Sequence, residues 1–418
     1  MIRRTAPFAA AALLALLTGC SILPHGRALY RFECCLDTTD PAFARMLAAL
    51  TDEPLVPGNR CDLLENGAEI FPSMLDAIRR AQTSVNLEMY IFKSDPTGVR
   101  FARAIEERSR AGLRCRVMVD GWGSRNLTRP LEAEMRGAGV EFERFRPLLL
   151  FRQFKHRTHR KILVVDGRVA FVGGEGFDER WEGDADSPRH WHEAAVRVEG
   201  PGAARFQRIF SENWIHRRRM VPSRPEEYPE TPSAGEDEVM AIKSSFGDRN
   251  SASAIALGMF FQGALRKIWI ENAYFIPNSA SVDQLASAAA RGVDVEVIVP
   301  GRRIDTAFVR PISRATYGRL LQAGVRIFEY RPTMMHAKTM TVDGLWSTVG
   351  SINIDNRSFL LNDEANATIR SAEFAGKLET MFRRDRDKSD EVTLARWNAR
   401  PWSERLLEGV LSLFEPEF

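Results

Sequence analysis

The chain repeats itself. VNLEMYIF (85–92) matches IWIENAYF (268–275), and AGLRCRVMVDG (111–121) matches RGVDVEVIVPG (291–301). AGVEFERFRP (138–147) matches AGVRIFEYRP (323–332), and HRKILVVDGRVAFVGG (159–174) matches HAKTMTVDGLWSTVGS (336–351). WHEAAVRVEG near the end of the first copy has its counterpart in LNDEANATIR, which aligns Glu193 with Glu364. The order is the same each time, so the fold must be a duplication of one unit. Within each copy, short β-rich runs alternate with helical stretches such as FPSMLDAIRRAQ. That alternation predicts an α/β sandwich in each half, with helices on a mixed sheet. Asp166-Gly167 and Asp343-Gly344 each sit between apolar runs and predict tight hairpins, whose central residues favour positive φ.

The chain has 418 residues, 44% of them apolar and 27% charged, with a net charge of +3. This excludes a disordered or multi-span membrane chain and gives no overall basic excess for nucleic acid. The two copies are expected at 58–220 and 241–418, joined by a Pro- and acid-rich linker at 221–240. Residues 20–57 read as a tether with one short helix, 41–50. At the N-terminus, two arginines precede a twelve-residue apolar run ending in Leu-Thr-Gly-Cys. This matches a lipoprotein signal, 1–19, with Cys20 as the lipidated first residue of an exported, membrane-anchored chain in a bacterial envelope. Ser21 in place of Asp is compatible with outer-membrane sorting and a periplasmic face.

Each half carries His-x-Lys-x4-Asp-x6-Gly-Gly/Ser: His159, Lys161, Asp166, Gly173, Gly174, and His336, Lys338, Asp343, Gly350, Ser351. Residues two apart on a strand share a face, so each half offers an imidazole and an ammonium together. Two such pairs facing each other suit an anionic phosphodiester. The lysines neutralise nonbridging oxygens, one neutral histidine attacks phosphorus, and the other protonates the leaving oxygen. Asp166 and Asp343 are counted in this motif set but read as stabilising their turns rather than touching substrate. Glu193 and Glu364 are the expected carboxylate partners of the histidines, each placed after the histidine of its own half. A carboxylate on the far ring nitrogen fixes the tautomer and stabilises the imidazolium. Asn353 and Ser351 are candidate phosphate-binding residues; the place of Asn353 in the first half is held by Gly176, where a new side chain is expected to be tolerated unless φ is positive.

His25, His156 and His216 read as surface histidines, and His190-x-His192 as a partly exposed strand end, with a weak metal pair as the alternative. Cys115 reads as a buried strand residue; Cys34 or Cys35 could bridge to Cys61. No Cys-x-x-Cys or zinc spacing, P-loop or dinucleotide motif is present, so no cofactor is expected. The first half is eight residues longer before its histidine and includes LLLFRQFK (148–155), apolar with basic spacing, which reads equally as a segment dipping into lipid beside the site or as core packing. The C-terminal WSERLLEGVLSLF (402–414) is amphipathic; packing on the core is its default reading, and contact with a membrane is the alternative.

From about Gly58 to the C-terminus, these motifs resemble the phospholipase D superfamily with its paired HKD motifs. The closer likeness is to bacterial cardiolipin synthases of the phospholipase D type. The resemblance implies two α/β domains sharing one active site at their interface. It implies phosphatidyl transfer between alcohols, with His159 as nucleophile and His336 as general acid. Phosphatidylglycerol would be donor and acceptor, with phosphatidylethanolamine as a substitute for one. Water at the same site would instead give a hydrolytic phospholipase D, phosphodiesterase or nuclease. The balanced charge weighs against nucleic acid as partner. The departure from the family pattern is Gly176, where Asn is usual.

Overall fold

The computed structural model describes residues 30–33, 36–146, 156–248 and 250–412. Outside these fall the signal with Cys20, His25, Cys34, Cys35, the 148–155 insertion and Phe414. Among the described residues, fifteen strands form one sheet in which the duplication is visible as topology. The first half contributes β1 (Val56–Glu65), β2 (Ser84–Met89), β3 (Arg114–Asp120), β4 (Glu141–Phe145), β5 (Ile162–Val165), β6 (Val169–Gly173) and β7 (Ala194–Glu199). The second contributes β8 (Asp237–Ser244), β9 (Lys267–Asn272), β10 (Asp294–Pro300), β11 (Arg326–Tyr330), β12 (Lys338–Val342), β13 (Trp346–Gly350) and β14 (Glu364–Arg370). A short β15 (Ser389–Glu391) extends the second edge.

From the centre outward, the strands run β1-β7-β6-β5-β2-β3-β4 one way and β8-β14-β13-β12-β9-β10-β11 the other. The two central strands, β1 and β8, pair antiparallel. Strands β2, β3 and β4 are parallel, as are β9, β10 and β11. Parallel neighbours need long crossovers, which the helices supply. In the first half these are α1's successors: α1 (Pro41–Thr51) precedes the sheet, then come α2 (Asn66–Arg80), α3 (Pro96–Arg110), α4 (Arg129–Gly137) and α5 (Ala203–Arg218). The second half has α6 (Ala252–Gly263), α7 (Ser279–Ala290), α8 (Val309–Gln322), α9 (Asn356–Leu360), α10 (Ala372–Asp387), α11 (Leu394–Asn398) and α12 (Trp402–Leu411).

Each half has its own apolar core, and a third cluster is built from both. Val164, Val172 and Val196 of the first half meet Val349, Ala367 and Ile369 of the second there. The expected hairpins form: Asp166 and Gly167 have φ of 55° and 64°, Asp343 and Gly344 of 55° and 70°. Cys115 is buried in β3, as its apolar parity indicates. Cys61 is buried in β1.

Three expectations about the periphery need correction. The stretch read as a tether is docked on the second half: Phe43 of α1 packs on Phe260 and Trp346 at 5.5 and 5.8 Å. The indole of Trp346 donates to Thr38 O at 3.0 Å. The stretch read as linker gives its last four residues to β8, which starts at Asp237, and its Glu227 is buried in an ion pair with Arg116. Finally, α12 does not put its apolar face on the core, as shown below.

Candidate active site

His159 and His336 each lie just before the strand carrying the rest of their motif, β5 and β12. The backbone there crosses between halves. His159 N donates to Asp363 O at 2.8 Å, and His336 N donates to His192 O at 2.7 Å. The residues after those acceptors are Glu364 and Glu193. Each histidine is therefore held beside the glutamate of the opposite half. His159 Nδ1 lies 2.9 Å from Glu364 Oε2, and His336 Nδ1 lies 2.6 Å from Glu193 Oε2. This corrects the expectation of pairing within each half. A carboxylate only accepts, so Nδ1 carries the proton and Nε2 keeps its lone pair.

Both histidines line one cavity of about 500 Å³, together with Lys161 and Asn353. Lys161 Nζ donates to the carbonyl of His159 at 2.6 Å, and Lys338 Nζ does the same for His336. Aromatic rings hold the imidazoles: Tyr90 against His159 at 4.8 Å, Trp181 and Trp191 against His336 at 5.2 and 5.3 Å. Lys93, Arg125, Arg157, Arg180 and Arg357 also line the cavity.

The two carboxylates are supported differently. Glu364 accepts from Ser351 Oγ at 2.6 Å and Ser358 Oγ at 2.9 Å. Burial pushes its carboxyl up, but the neighbouring His159 and these hydroxyls hold it below the usual range. Glu193 accepts from the Trp181 indole at 3.0 Å and Ala194 N at 3.1 Å, and its burial leaves it raised. The Gly/Ser alternation in the motif follows from this. A Cβ on Gly174 would lie 2.6 Å from Glu193 Oε1, whereas Ser351 uses its hydroxyl to bind Glu364. Ser351, expected to hold phosphate, thus has its hydroxyl committed to Glu364. Asn353 remains on the cavity wall, its Oδ1 buried and without a hydrogen-bond partner.

Burial, followed among the lowering causes by the lysine charges, favours the neutral form of both imidazoles. His159 is pushed down to about 4 and His336 well below the ordinary histidine value. For His159 the Glu364 carboxylate opposes the fall. Burial also lowers Lys161 to about 7 and Lys338 to about 8. An anionic diester entering this space would favour every cationic form.

Asp166 and Asp343 stand at the far ends of their hairpins. Asp343 accepts from the backbone N–H groups of Leu265, Arg266 and Lys267 at 2.7–3.0 Å; Asp166 accepts from those of Gln82, Thr83 and Ser84 at 2.8–2.9 Å. They pin the segment entering β2 and β9 and take no place among the residues lining the cavity.

Sequence reasoning missed Glu175. It lies between the motif glycines, is fully buried on the cavity wall, and neither oxygen has a hydrogen-bond partner. Burial, then the Glu193 charge, raises it to about 8. Its position inside the Gly-Gly-x-Gly stretch was the available signal. His190 is half-exposed and bonds Asp186, but His192 is buried, correcting the strand-end reading. Its Nδ1 faces Asn66 Oδ1 at 2.9 Å and its Nε2 faces Asp385 at 3.1 Å, with Glu271 close by. Asn66 Oδ1 also accepts from Glu193 N, so it is an acceptor and His192 donates to it from Nδ1, behind Glu193. Burial pushes the imidazole down, but the carboxylates around it, Asp385 first and then Glu271 and Glu193, raise it to about 9.

The sequence matches the family described as cardiolipin synthase, phospholipase D-like domain, over residues 74–214 and 259–386. It is 31% identical over 372 residues to a cardiolipin synthase of Geobacillus thermodenitrificans, covering 87% of this chain and 73% of that protein. A probable cardiolipin synthase of Bacillus subtilis is 31% identical over 355 residues, covering 84% and 71%. The crystal structure of phosphatidylserine synthase from Haemophilus influenzae shares the fold: TM-score 0.70 at 14% identity, covering 89% of this chain and 97% of that one. Fold, paired motifs and relatives together define an enzyme of the phospholipase D class. Within that class, the chain belongs to the cardiolipin synthase family. No helix among the described residues is long and apolar enough to cross a membrane.

Proposed function

We propose that this enzyme makes cardiolipin by transferring a phosphatidyl group from one phosphatidylglycerol to another. His159 Nε2 attacks phosphorus, the P–O bond to the glycerol head group breaks, and His336, made an imidazolium when the anionic diester binds, gives that oxygen its Nε2 proton. Neutral His336 then takes the proton of the acceptor hydroxyl. The acceptor oxygen attacks phosphorus and the P–N bond breaks, releasing cardiolipin. One diester is exchanged for another, so no external energy source is needed.

The observation that carries this reading is the pair of crossed His–Glu dyads opening on one cavity. The better-stabilised carboxylate, Glu364, sits behind His159. It holds the proton on Nδ1 and leaves Nε2 as nucleophile, which supports that assignment. The arginines and lysines of the wall suit a substrate pair carrying two phosphates, as two phosphatidylglycerols do and one lipid with water does not. Phosphatidylethanolamine is a substitute partner on the same grounds. Purified enzyme with phosphatidylglycerol micelles, analysed by mass spectrometry, should yield cardiolipin and glycerol with or without EDTA. Phosphatidic acid as the main product would replace this reading with hydrolysis. We place the enzyme on a bacterial membrane through lipidated Cys20. Labelled palmitate should enter the parent chain and not Cys20→Ser; equal labelling would remove the anchor from the account.

A further inference from the structure

Helix α12 is amphipathic and faces the wrong way for a core helix. The residue it buries is Glu408, only 4% exposed, while Trp402, Leu406, Leu407 and Val410 are 77, 59, 50 and 47% exposed. The inward carboxylate is gripped from two sides: Arg314 Nε donates to it at 3.0 Å and Arg400 Nε at 2.7 Å. Arg314 is itself buried and also pairs with Glu329. A buried charge network fixes orientation even where it adds little stability, because removing one partner strands the others. The helix is thus held by its polar side with its apolar side outward. A contiguous apolar patch on a soluble surface marks an interaction site.

The patch continues to the mouth of the catalytic cavity. Leu411, at the end of α12, packs against the cluster of Ile276, Val309 and Ile312, which Tyr274 also joins. Tyr274 and Val309 line the cavity. Beside them Phe308 is 47% exposed. Arg302 and Arg303, on the loop before α8, are exposed, as is Arg405 on α12. Apolar residues with an aromatic at one end and cations at the margin are the composition of a helix lying in a lipid headgroup layer. Size also argues for lipid over a second copy. A ten-residue helix about 15 Å long and about 10 Å across presents a face of roughly 150 Å², far short of the roughly 800 Å² per partner that a stable protein interface needs.

We propose that α12, with Phe308, is the face by which the enzyme docks on a phospholipid bilayer, placing the cavity mouth against the lipid headgroups. The choice of a bilayer as occupant rests in part on the phosphatidyl-transfer reading above. The geometry lets headgroups reach His159 and His336 while acyl chains stay in the membrane.

The test uses the full chain reconstituted with vesicles of phosphatidylglycerol and phosphatidylcholine, with and without brominated acyl chains. Bromine quenches tryptophan only within the acyl layer, and the difference between parent and Trp402→Phe isolates Trp402. The parent should lose a component of fluorescence that Trp402→Phe lacks. Equal fractional quenching in both would overturn the proposal, as would a concentration-dependent dimer abolished by Leu406→Ser. A second arm uses Leu406→Ser/Val410→Ser. Turnover of vesicle lipid should fall about tenfold or more, while turnover of a water-soluble short-chain phosphatidylglycerol stays unchanged. Equal loss on both substrates, or no loss on vesicles, would overturn it. Normal transfer without Trp402 quenching would remove the docking face and leave the activity standing. Quenching without any transfer product would do the reverse.

Discussion

His159 Nδ1 stands 2.9 Å from the carboxylate of Glu364, a residue of the other half of the duplicated chain. Its counterpart, His336 with Glu193, crosses in the opposite sense at 2.6 Å. Neither half holds a complete dyad. Glu364→Gln should lower kcat about 100-fold or more, since an amide can hold the wrong tautomer and cannot offset an imidazolium charge. The Nδ1–H proton resonance that disappears in His159→Ala should move in Glu364→Gln and stay in place in Glu193→Gln. The reverse pattern would restore pairing within halves.

The aspartates of the paired motifs should behave as structural groups. Asp343 is buried and accepts three backbone N–H groups, so Asp343→Ala should cost about 3 kcal/mol of stability, in keeping with charged hydrogen bonds. Asp166 is reached by solvent, and its loss should cost less. In denaturant titrations both variants should unfold early, while the folded fraction keeps kcat within about tenfold of the parent. A 100-fold fall in kcat without loss of stability would give them a direct role.

The asymmetry at Gly176 and Asn353 should show in activity. A Cβ at Gly176 would lie 3.0 Å from Ile91 Cβ and 3.1 Å from Trp181 Cζ3. φ at Gly176 is not the obstacle; the indole is, and it also donates to Glu193. Gly176→Asn should therefore lower kcat about tenfold or more, against the tolerance expected from sequence. Asn353→Ala should lower it about 100-fold if the amide serves the phosphoryl oxygen. Steady-state kinetics on both variants checks the pair.

Glu175 makes stability depend on pH in a definite direction. Its folded pKa is raised to about 8 from 4.5, so the folded state binds the extra proton between those values. Stability from this group is complete below about pH 4.5 and is lost as pH rises through about 8. Glu175→Gln removes the titration. Its Tm should gain on the parent steadily from pH 5 to pH 8.5. A Tm difference that does not change with pH would mean that Glu175 is ionised throughout.

Much of this was legible because the chain is duplicated. In-register recurrence singled out His159 and His336 among seven histidines, and Asp-Gly between apolar runs fixed both hairpins. The crossing of the dyads was not legible. Sequence spacing places Glu193 after His159 and Glu364 after His336, and only the backbone bridges between halves exchange them. Ser351 was misassigned for a related reason: its hydroxyl is within reach of Glu364, a contact across 13 positions that no local pattern encodes. In the sequence the facing of α12 stays open between core and membrane, because amphipathicity fixes only that a helix has two faces. Which one turns inward depends on Arg314 and Arg400, which belong to other elements.

The central claim is a covalent intermediate on one histidine of a site shared by the halves. The direct measurement is peptide mass spectrometry on enzyme quenched at alkaline pH during turnover of phosphatidylglycerol. The account predicts a phosphatidyl adduct on the peptide containing His159, absent in His159→Ala. An adduct on His336 would contradict the assignment of roles, and turnover with no histidine adduct in either half would contradict the two-histidine route.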